Sequence, residues 1–119
     1  MKFNFSRLKI WQKSHALTLD LYQVTKTFPK HELFGLTSQI RRSASSVPAN
    51  IVEGYSRKGN REFVQFLYQA RSSLDETIYF LILSFDLDYI NKEKYEELID
   101  KASVLMKMLN SFISIVKKN

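Results

Sequence analysis

The stretch from Leu36 to Lys58 constrains the fold of this 119-residue chain more than any other. At 100° per residue of an α-helix, its apolar and small residues fall within one arc of about 80°. These residues are Leu36, Ile40, Ala44, Val47, Ile51 and Gly54. A second arc is polar and collects Gln39, Arg42, Ser46, Asn50, Glu53 and Arg57. The pattern predicts a helix that buries one face and exposes another.

Pro48 lies in the middle of this predicted helix. Proline has no N–H to donate to the Ala44 carbonyl and its ring crowds that carbonyl, so we expect a bend without a break. The residues around it, Ser43 to Ser46 and Ala49, are small. A neighbouring helix can therefore approach closely, and hydroxyls are available to pair with the freed carbonyl.

Three further apolar stripes predict three more helices. The first contains Ile10, Ser14, Leu17, Leu21, Val24 and Phe28; the third contains Phe63, Phe66, Leu67, Ala70, Leu74, Ile78, Leu81 and Phe85; the fourth contains Tyr95, Leu98, Ile99, Ala102, Leu105, Met106, Leu109, Ile113 and Val116. Turns are expected near Pro29, Gly59 and Asn91. The sequence predicts one all-α domain over residues 1–119, an antiparallel up-down-up-down four-helix bundle with helices at roughly 8–28, 33–57, 60–86 and 91–117. Residues 1–7 show no clear periodicity and predict an extended or frayed arm.

The third predicted helix carries more apolar residues than one buried face can hold. The additional ones are Val64, Tyr68, Tyr79, Phe80, Ile82 and Leu83. Because a monomer rarely exposes a large apolar patch, this excess predicts that the chain forms a homo-oligomer.

Positive charge is concentrated in the first half of the chain, although the net charge is only +6. Residues 1–61 contain 11 Lys/Arg and 3 Asp/Glu, whereas residues 62–119 contain 7 and 9. The imbalance favours either a basic face that attracts phosphates or two complementary surfaces that meet between subunits.

The best nucleic-acid-binding candidates are five cations near the central helix: Arg41, Arg42, Arg57, Lys58 and Arg61. Lys9, Lys13, Lys26 and Lys30 are weaker candidates on the first helix. Without a base-reading module, binding of RNA or DNA should be directed to the backbone with little sequence specificity. The alternative is a purely structural or partner-binding scaffold in which these cations form a solvated face and subunit salt bridges. We interpret Gln39, Asn50 and Glu53 as a structural polar network.

The sequence offers little for catalysis or metal binding. There is no cysteine, and His15 and His31 have no second histidine or converging carboxylates at helical spacing, so no metal or cofactor is expected. The serines near Pro48 have no histidine at helical spacing to activate them. Arg7 and His15 are separated by seven residues, against four to six in helical-bundle ribonucleases of the toxin type, so we do not expect an enzyme.

No apolar run is long enough for a signal peptide or membrane span, and we expect a cytoplasmic protein.

Several motifs resemble one known family. They are the run from Glu32 to Arg42, Val47 to Gly54, Trp11 to Lys13, Phe28-Pro29 and Glu62 to Leu67. Together they resemble the four-helix bundle family encoded within intervening sequences of bacterial large-subunit (23S) ribosomal RNA genes. The family more often has Ala at the position of Val52, and aliphatic residues or Ala at Ser43 to Ser46.

That resemblance implies a left-handed up-down bundle that assembles into a ring of five subunits and has a suspected role with nucleic acid. The related accessory proteins of diversity-generating retroelements form basic pentamers. The number five follows from this resemblance only.

Overall fold

The computed structural model describes Met1 and residues 3–119. Four α-helices make up the fold: α1 (Lys9–Val24), α2 (Leu36–Tyr55), α3 (Asn60–Asp86) and α4 (Lys92–Lys118). Short 3₁₀ helices cover Asn4–Arg7, Thr25–Thr27 and Lys30–Glu32, and the described residues contain no strand. The predicted class, an all-α four-helix bundle, is confirmed.

Contacts between helices show that sequential neighbours run antiparallel. At mid-height, the contacts are Thr18 with Ala44, Thr77 with Ser43, Arg71 with Asn110 and Lys101 with Asp20. Towards one end, Gly54 near the end of α2 meets Phe63 near the start of α3, and the Phe63 ring lies 5.8 Å from that of Phe112 near the end of α4. The start of α1 lies beside the same part of α4, because Lys9 and Ile10 line a depression with Ser111 and Phe112.

The core follows the predicted stripes of α1 and α2. Every member is buried except Val24, which is half-buried. In α3 the prediction is partly wrong, because some of its large members are only half-buried whereas the polar Thr77 and Ser84 are fully buried. The half-buried members are Phe63, Phe66, Ile78 and Phe85. Each of the two buried hydroxyls donates to the carbonyl four residues earlier in α3, so neither is left without a partner in the apolar interior.

Pro48 does not interrupt α2, and a neighbouring helix satisfies the carbonyl that the proline frees. The Thr18 hydroxyl of α1 donates to the Ala44 carbonyl at 3.1 Å. The hydroxyl therefore comes from across the helix interface. The serines beside Pro48 instead donate to carbonyls of their own helix, as Ser43 does to Ile40.

The ends of the first two helices differ from the prediction. The α-helical part of α1 ends at Val24 and continues as the 3₁₀ helix Thr25–Thr27. Phe28 is extended, with φ −65° and ψ 152°, because it precedes a proline. Helix α2 begins only at Leu36, since Gly35 is not helical and the Glu32 carboxylate caps the Leu36 N–H at 3.0 Å.

The N-terminal arm is not extended throughout. Asn4–Arg7 form a 3₁₀ helix, and the Phe5 ring packs edge-on against Trp11 at 5.2 Å. Lys2, part of the predicted arm, lies outside the described residues. Within the described residues, none of the helices combines the length and apolar character that a membrane span requires.

Candidate nucleic-acid interface

Charge segregates strongly along the long axis of the bundle. We define the basic end as the half of the bundle that contains the start of α1, the end of α2, the start of α3 and the end of α4. Its described residues include ten Lys/Arg and only two Asp/Glu, Glu53 and Glu62. The cations are Arg7, Lys9, Lys13, Arg57, Lys58, Arg61, Arg71, Lys107, Lys117 and Lys118. The other half has seven Lys/Arg and ten Asp/Glu, so the basic end is the strongly positive part of the molecule.

The turn between α2 and α3 presents three of the predicted cations. Gly54 lets the two helices approach closely, since a Cβ there would lie 2.7 Å from the Cβ of Phe66. The Arg57 guanidinium lies over the Phe66 ring at 4.8 Å and 3.5 Å from the Glu53 carboxylate. Lys58 and Arg61 are exposed, and within the described chain neither contacts a carboxylate. The turn therefore displays cations that are free to meet an external anion.

The end of α4 adds cations that sequence reasoning did not select. Arg61 and Gln65 of α3 line a shallow groove with Val116 and Lys117 of α4. The Lys117 ammonium also lies 5.9 Å from the centre of the Tyr68 ring. The available signal was the antiparallel order itself, because the end of the fourth helix must lie beside the start of the third.

Several carboxylates of the opposite half are paired with cations. Lys94 lies 2.7 Å from Glu97, and Lys101 lies 2.8 Å from Asp20. The hydrogen bond from Lys94 lowers the pKa of Glu97, and the hydrogen bond to Asp20 raises the pKa of Lys101. Charge in this half is therefore neutralised within the chain to a greater extent than at the basic end.

Arg41 and Arg42 lie in that opposite half and are held by neighbouring helices. Arg41 donates to the Thr25 hydroxyl at 2.8 Å and to the Tyr22 carbonyl at 3.3 Å, while Arg42 lies 2.6 Å from the Glu76 carboxylate. At 1.5 Å per residue, α2 separates these arginines from its own end by about 20 Å. The five predicted binding residues thus form two separate groups.

The three residues interpreted as a polar network make separate local contacts. Gln39 accepts two hydrogen bonds from Arg42, Asn50 donates to the Ser46 carbonyl, and Glu53 faces Arg57. Within the described chain they share no hydrogen bond with one another.

Of the auxiliary lysines, Lys9 and Lys13 lie in the basic end, and Lys26 and Lys30 lie in the opposite half.

The two histidines lie in different halves of the bundle. His15 stacks on Trp11 with ring centres 4.9 Å apart, and His31 lies 4.0 Å from Glu32. Among the described residues, no three His, Asp or Glu side chains converge as metal ligands would.

Comparisons with known proteins agree on one family. The sequence model of the family described as "23S rRNA-intervening sequence protein" matches residues 6–111. A crystal structure of a protein of unknown function from the S23 ribosomal protein family of Bacteroides thetaiotaomicron is similar, with a TM-score of 0.78 and 28% identity. The match covers 87% of this chain and 97% of that one. No match was found among curated proteins.

Proposed function

The chain belongs to the 23S rRNA-intervening sequence protein family, and from this membership and the charge distribution we propose that it binds RNA or DNA without catalysis. The surface used is the basic end, with Arg57, Lys58 and Arg61 at its centre. Contacts are made to phosphates, so binding depends little on base sequence.

The observation that carries this proposal is the ratio of ten cations to two carboxylates at the basic end. A polyanion that approaches this end meets a positive field, which ion pairs among the described residues reduce only at Arg57. Arg41 and Arg42 fit the role less well, since their guanidinium groups already have partners in Tyr22 of α1 and Glu76 of α3.

We also propose that the chain self-associates, and the expected form is the ring of five that the family resemblance implies. Support comes from Tyr79 and Ile82, two large apolar side chains that stay exposed on α3. A ring would repeat the basic end several times and so multiply its phosphate contacts.

The test is a gel-shift titration of a short RNA duplex and a DNA duplex of equal length across a salt series. Binding by the unmodified chain should weaken steeply as salt rises. The triple variant Arg57→Ala, Lys58→Ala, Arg61→Ala should reduce the slope of log affinity against log salt by about 3, one for each phosphate contact removed.

A matched control removes the same charge from the other half of the bundle. The triple variant Lys26→Ala, Lys92→Ala, Lys94→Ala should keep most of the slope, because these exposed lysines lie away from the basic end. If both triple variants lose the same slope, only net charge matters and no interface exists. If the unmodified chain does not bind at low salt, the proposal is wrong and the scaffold alternative is favoured.

A further inference from the structure

Phe34 is the most exposed large apolar side chain of the described residues, with 93% of its surface accessible. Leu33 beside it is 52% exposed. An isolated exposed leucine needs no explanation, but two adjacent apolar side chains at the tip of a connection form a projection that water solvates poorly. We call Leu33 and Phe34 the apolar knob.

The connection that carries the knob is held in place on both sides. The Glu32 carboxylate accepts the Leu36 N–H with one oxygen and the Tyr89 hydroxyl, at 2.8 Å, with the other. These two hydrogen bonds lower the pKa of Glu32, the N–H of Leu36 being the larger cause. Phe28 also packs against the Tyr89 ring at 5.3 Å. The knob is therefore presented by a fixed backbone, which reduces the entropy lost when it binds a partner.

The surroundings of the knob are basic. Lys30 is exposed without a carboxylate partner in the described chain. Arg41 lies 4.8 Å from the centre of the Tyr22 ring and donates hydrogen bonds to a hydroxyl and a carbonyl, with no carboxylate partner in the described chain. Glu32 is the one carboxylate in this connection, and its oxygens are occupied. A partner surface that fits the knob should therefore be apolar with carboxylates on its margins.

Helix α3 of the same chain carries such a surface. Asp75, Tyr79, Ile82 and Asp86 follow the spacing i, i+4, i+7 and i+11, which places them in one stripe along the helix. All four are exposed, Tyr79 by 56% and Ile82 by 39%. Residues 72–91 contain no Lys or Arg. Neither Asp75 nor Asp86 contacts a cation within the described chain. We call these four residues the acidic stripe.

We infer that the apolar knob of one copy packs onto the acidic stripe of a second copy, with Lys30 and Arg41 facing Asp75 and Asp86. Apolar side chains meet apolar side chains, and cations that lack a carboxylate partner in the described chain meet carboxylates that lack a cation there. This inference rests on the proposed self-association and names the surfaces that make it.

The two surfaces are different and lie on different sides of the molecule. Thr77 of α3 faces α2 through Ser43, and Tyr79 is two positions further on, about 200° around the helix. One copy therefore cannot satisfy its own stripe with its own knob. Contact between unlike surfaces is head-to-tail, and a pair of copies still has one free knob and one free stripe. Such contacts extend until the assembly closes into a ring.

Light scattering on the full chain tests the inference through two variants that each lose one surface. Phe34→Ala removes the knob and keeps the stripe, and Asp75→Lys with Asp86→Lys reverses the stripe and keeps the knob. Each variant alone should be monomeric at tens of micromolar, with self-association weakened at least tenfold. A one-to-one mixture should form pairs and nothing larger, because only one working knob and one working stripe remain per pair.

Leu19→Ala is the matched control, since Leu19 is 57% exposed but belongs to neither surface. It should leave the mass unchanged. An unmodified chain that is monomeric, a Phe34→Ala variant that keeps the full mass, or a mixture that stays monomeric would each overturn the inference.

The readouts also separate this inference from nucleic-acid binding. The Phe34→Ala monomer keeps Arg57, Lys58 and Arg61, and should still bind duplex RNA with an affinity that falls as salt rises. If it becomes monomeric but the chain never binds nucleic acid, the contact stands and the nucleic-acid proposal fails.

Discussion

The hydrogen bond from Thr18 to the Ala44 carbonyl predicts a specific energetic link between Thr18 and Pro48. Without the Thr18 hydroxyl, this buried carbonyl has no donor, because Pro48 cannot supply the N–H that would normally reach it. Thr18→Val keeps the shape of the side chain and removes only the hydroxyl. An unpaired buried polar group costs about 1–3 kcal/mol, and the methyl group gained offsets about 0.8 kcal/mol of this at most. We expect a net loss of about 1–2 kcal/mol.

The same substitution should cost almost nothing in a Pro48→Ala background. The alanine introduced there has an N–H four residues after Ala44, so a regular helical hydrogen bond can form without Thr18. The other acceptor of the Thr18 hydroxyl, the Ser14 carbonyl, keeps its own helical partner in either background. A double-mutant cycle of Thr18→Val and Pro48→Ala should therefore show a coupling energy of about 1–2 kcal/mol between the two positions.

Urea unfolding followed by far-ultraviolet circular dichroism measures this cycle. All variants are compared at one fixed protein concentration, because the proposed self-association would add to the apparent stability. Thermal unfolding should agree, with a shift of about 4 °C per kcal/mol for a chain of this size. Thr27→Val is the control, since its exposed hydroxyl donates only to the Val24 carbonyl, and it should change stability by less than about 0.5 kcal/mol. If Thr18→Val costs the same in the Pro48→Ala background as in the unmodified chain, the carbonyl does not depend on Thr18 and the reasoning is refuted.

Three further substitutions test other features of the fold. Gly54→Ala should destabilise the chain by about 1–3 kcal/mol in urea unfolding, because the new methyl group would lie 2.7 Å from the Cβ of Phe66. This loss should outweigh the better helix propensity of Ala. Unchanged stability would show that the helices can move apart. Asp88→Gly should stabilise by about 0.5–1 kcal/mol, since Asp88 has φ 64° at the turn before α4, and Asp88→Ala is the control that should not gain. Glu32→Gln should make the melting temperature change less as the pH is lowered into the acid range. The Leu36 N–H is the main cause that lowers the pKa of Glu32 in the folded state. The Glu32 carboxylate therefore stabilises the fold above the ordinary Glu pKa of about 4.3, and this stabilisation is lost as pH falls through the folded pKa. A melting curve with the same acid dependence in both proteins would contradict this.

The sequence predicted the helices well where burial follows a repeating apolar pattern. The stripes of α1 and α2 are local patterns, and the same 3.6-residue period that defines them also positions them against the core. Thr77 and Ser84 escaped this reasoning because a buried hydroxyl that donates to its own helix behaves as a small core residue. Hydropathy alone does not distinguish such a residue from an exposed one.

The site was harder to predict, because it depends on contacts between distant parts of the chain. Proximity in sequence grouped Arg41 and Arg42 with Arg57, although α2 carries them to different halves of the bundle. Whether Arg42 is free depends on Glu76, which comes from another helix. Lys117 joins the basic end only through the antiparallel order of α3 and α4. Charge counts therefore indicated the presence of a basic surface without its location.

The placement of the cations at one end of an elongated molecule gives it an electric dipole along its long axis. The molecule measures 45 × 24 × 22 Å. In the field of a polyanion this dipole favours an upright orientation, with the basic end down and the sides of the helices pointing away. An upright molecule covers about 24 Å of duplex, roughly seven base pairs and fourteen phosphates. Copies can then stand side by side at high density along a nucleic acid, and their lateral surfaces remain accessible to one another.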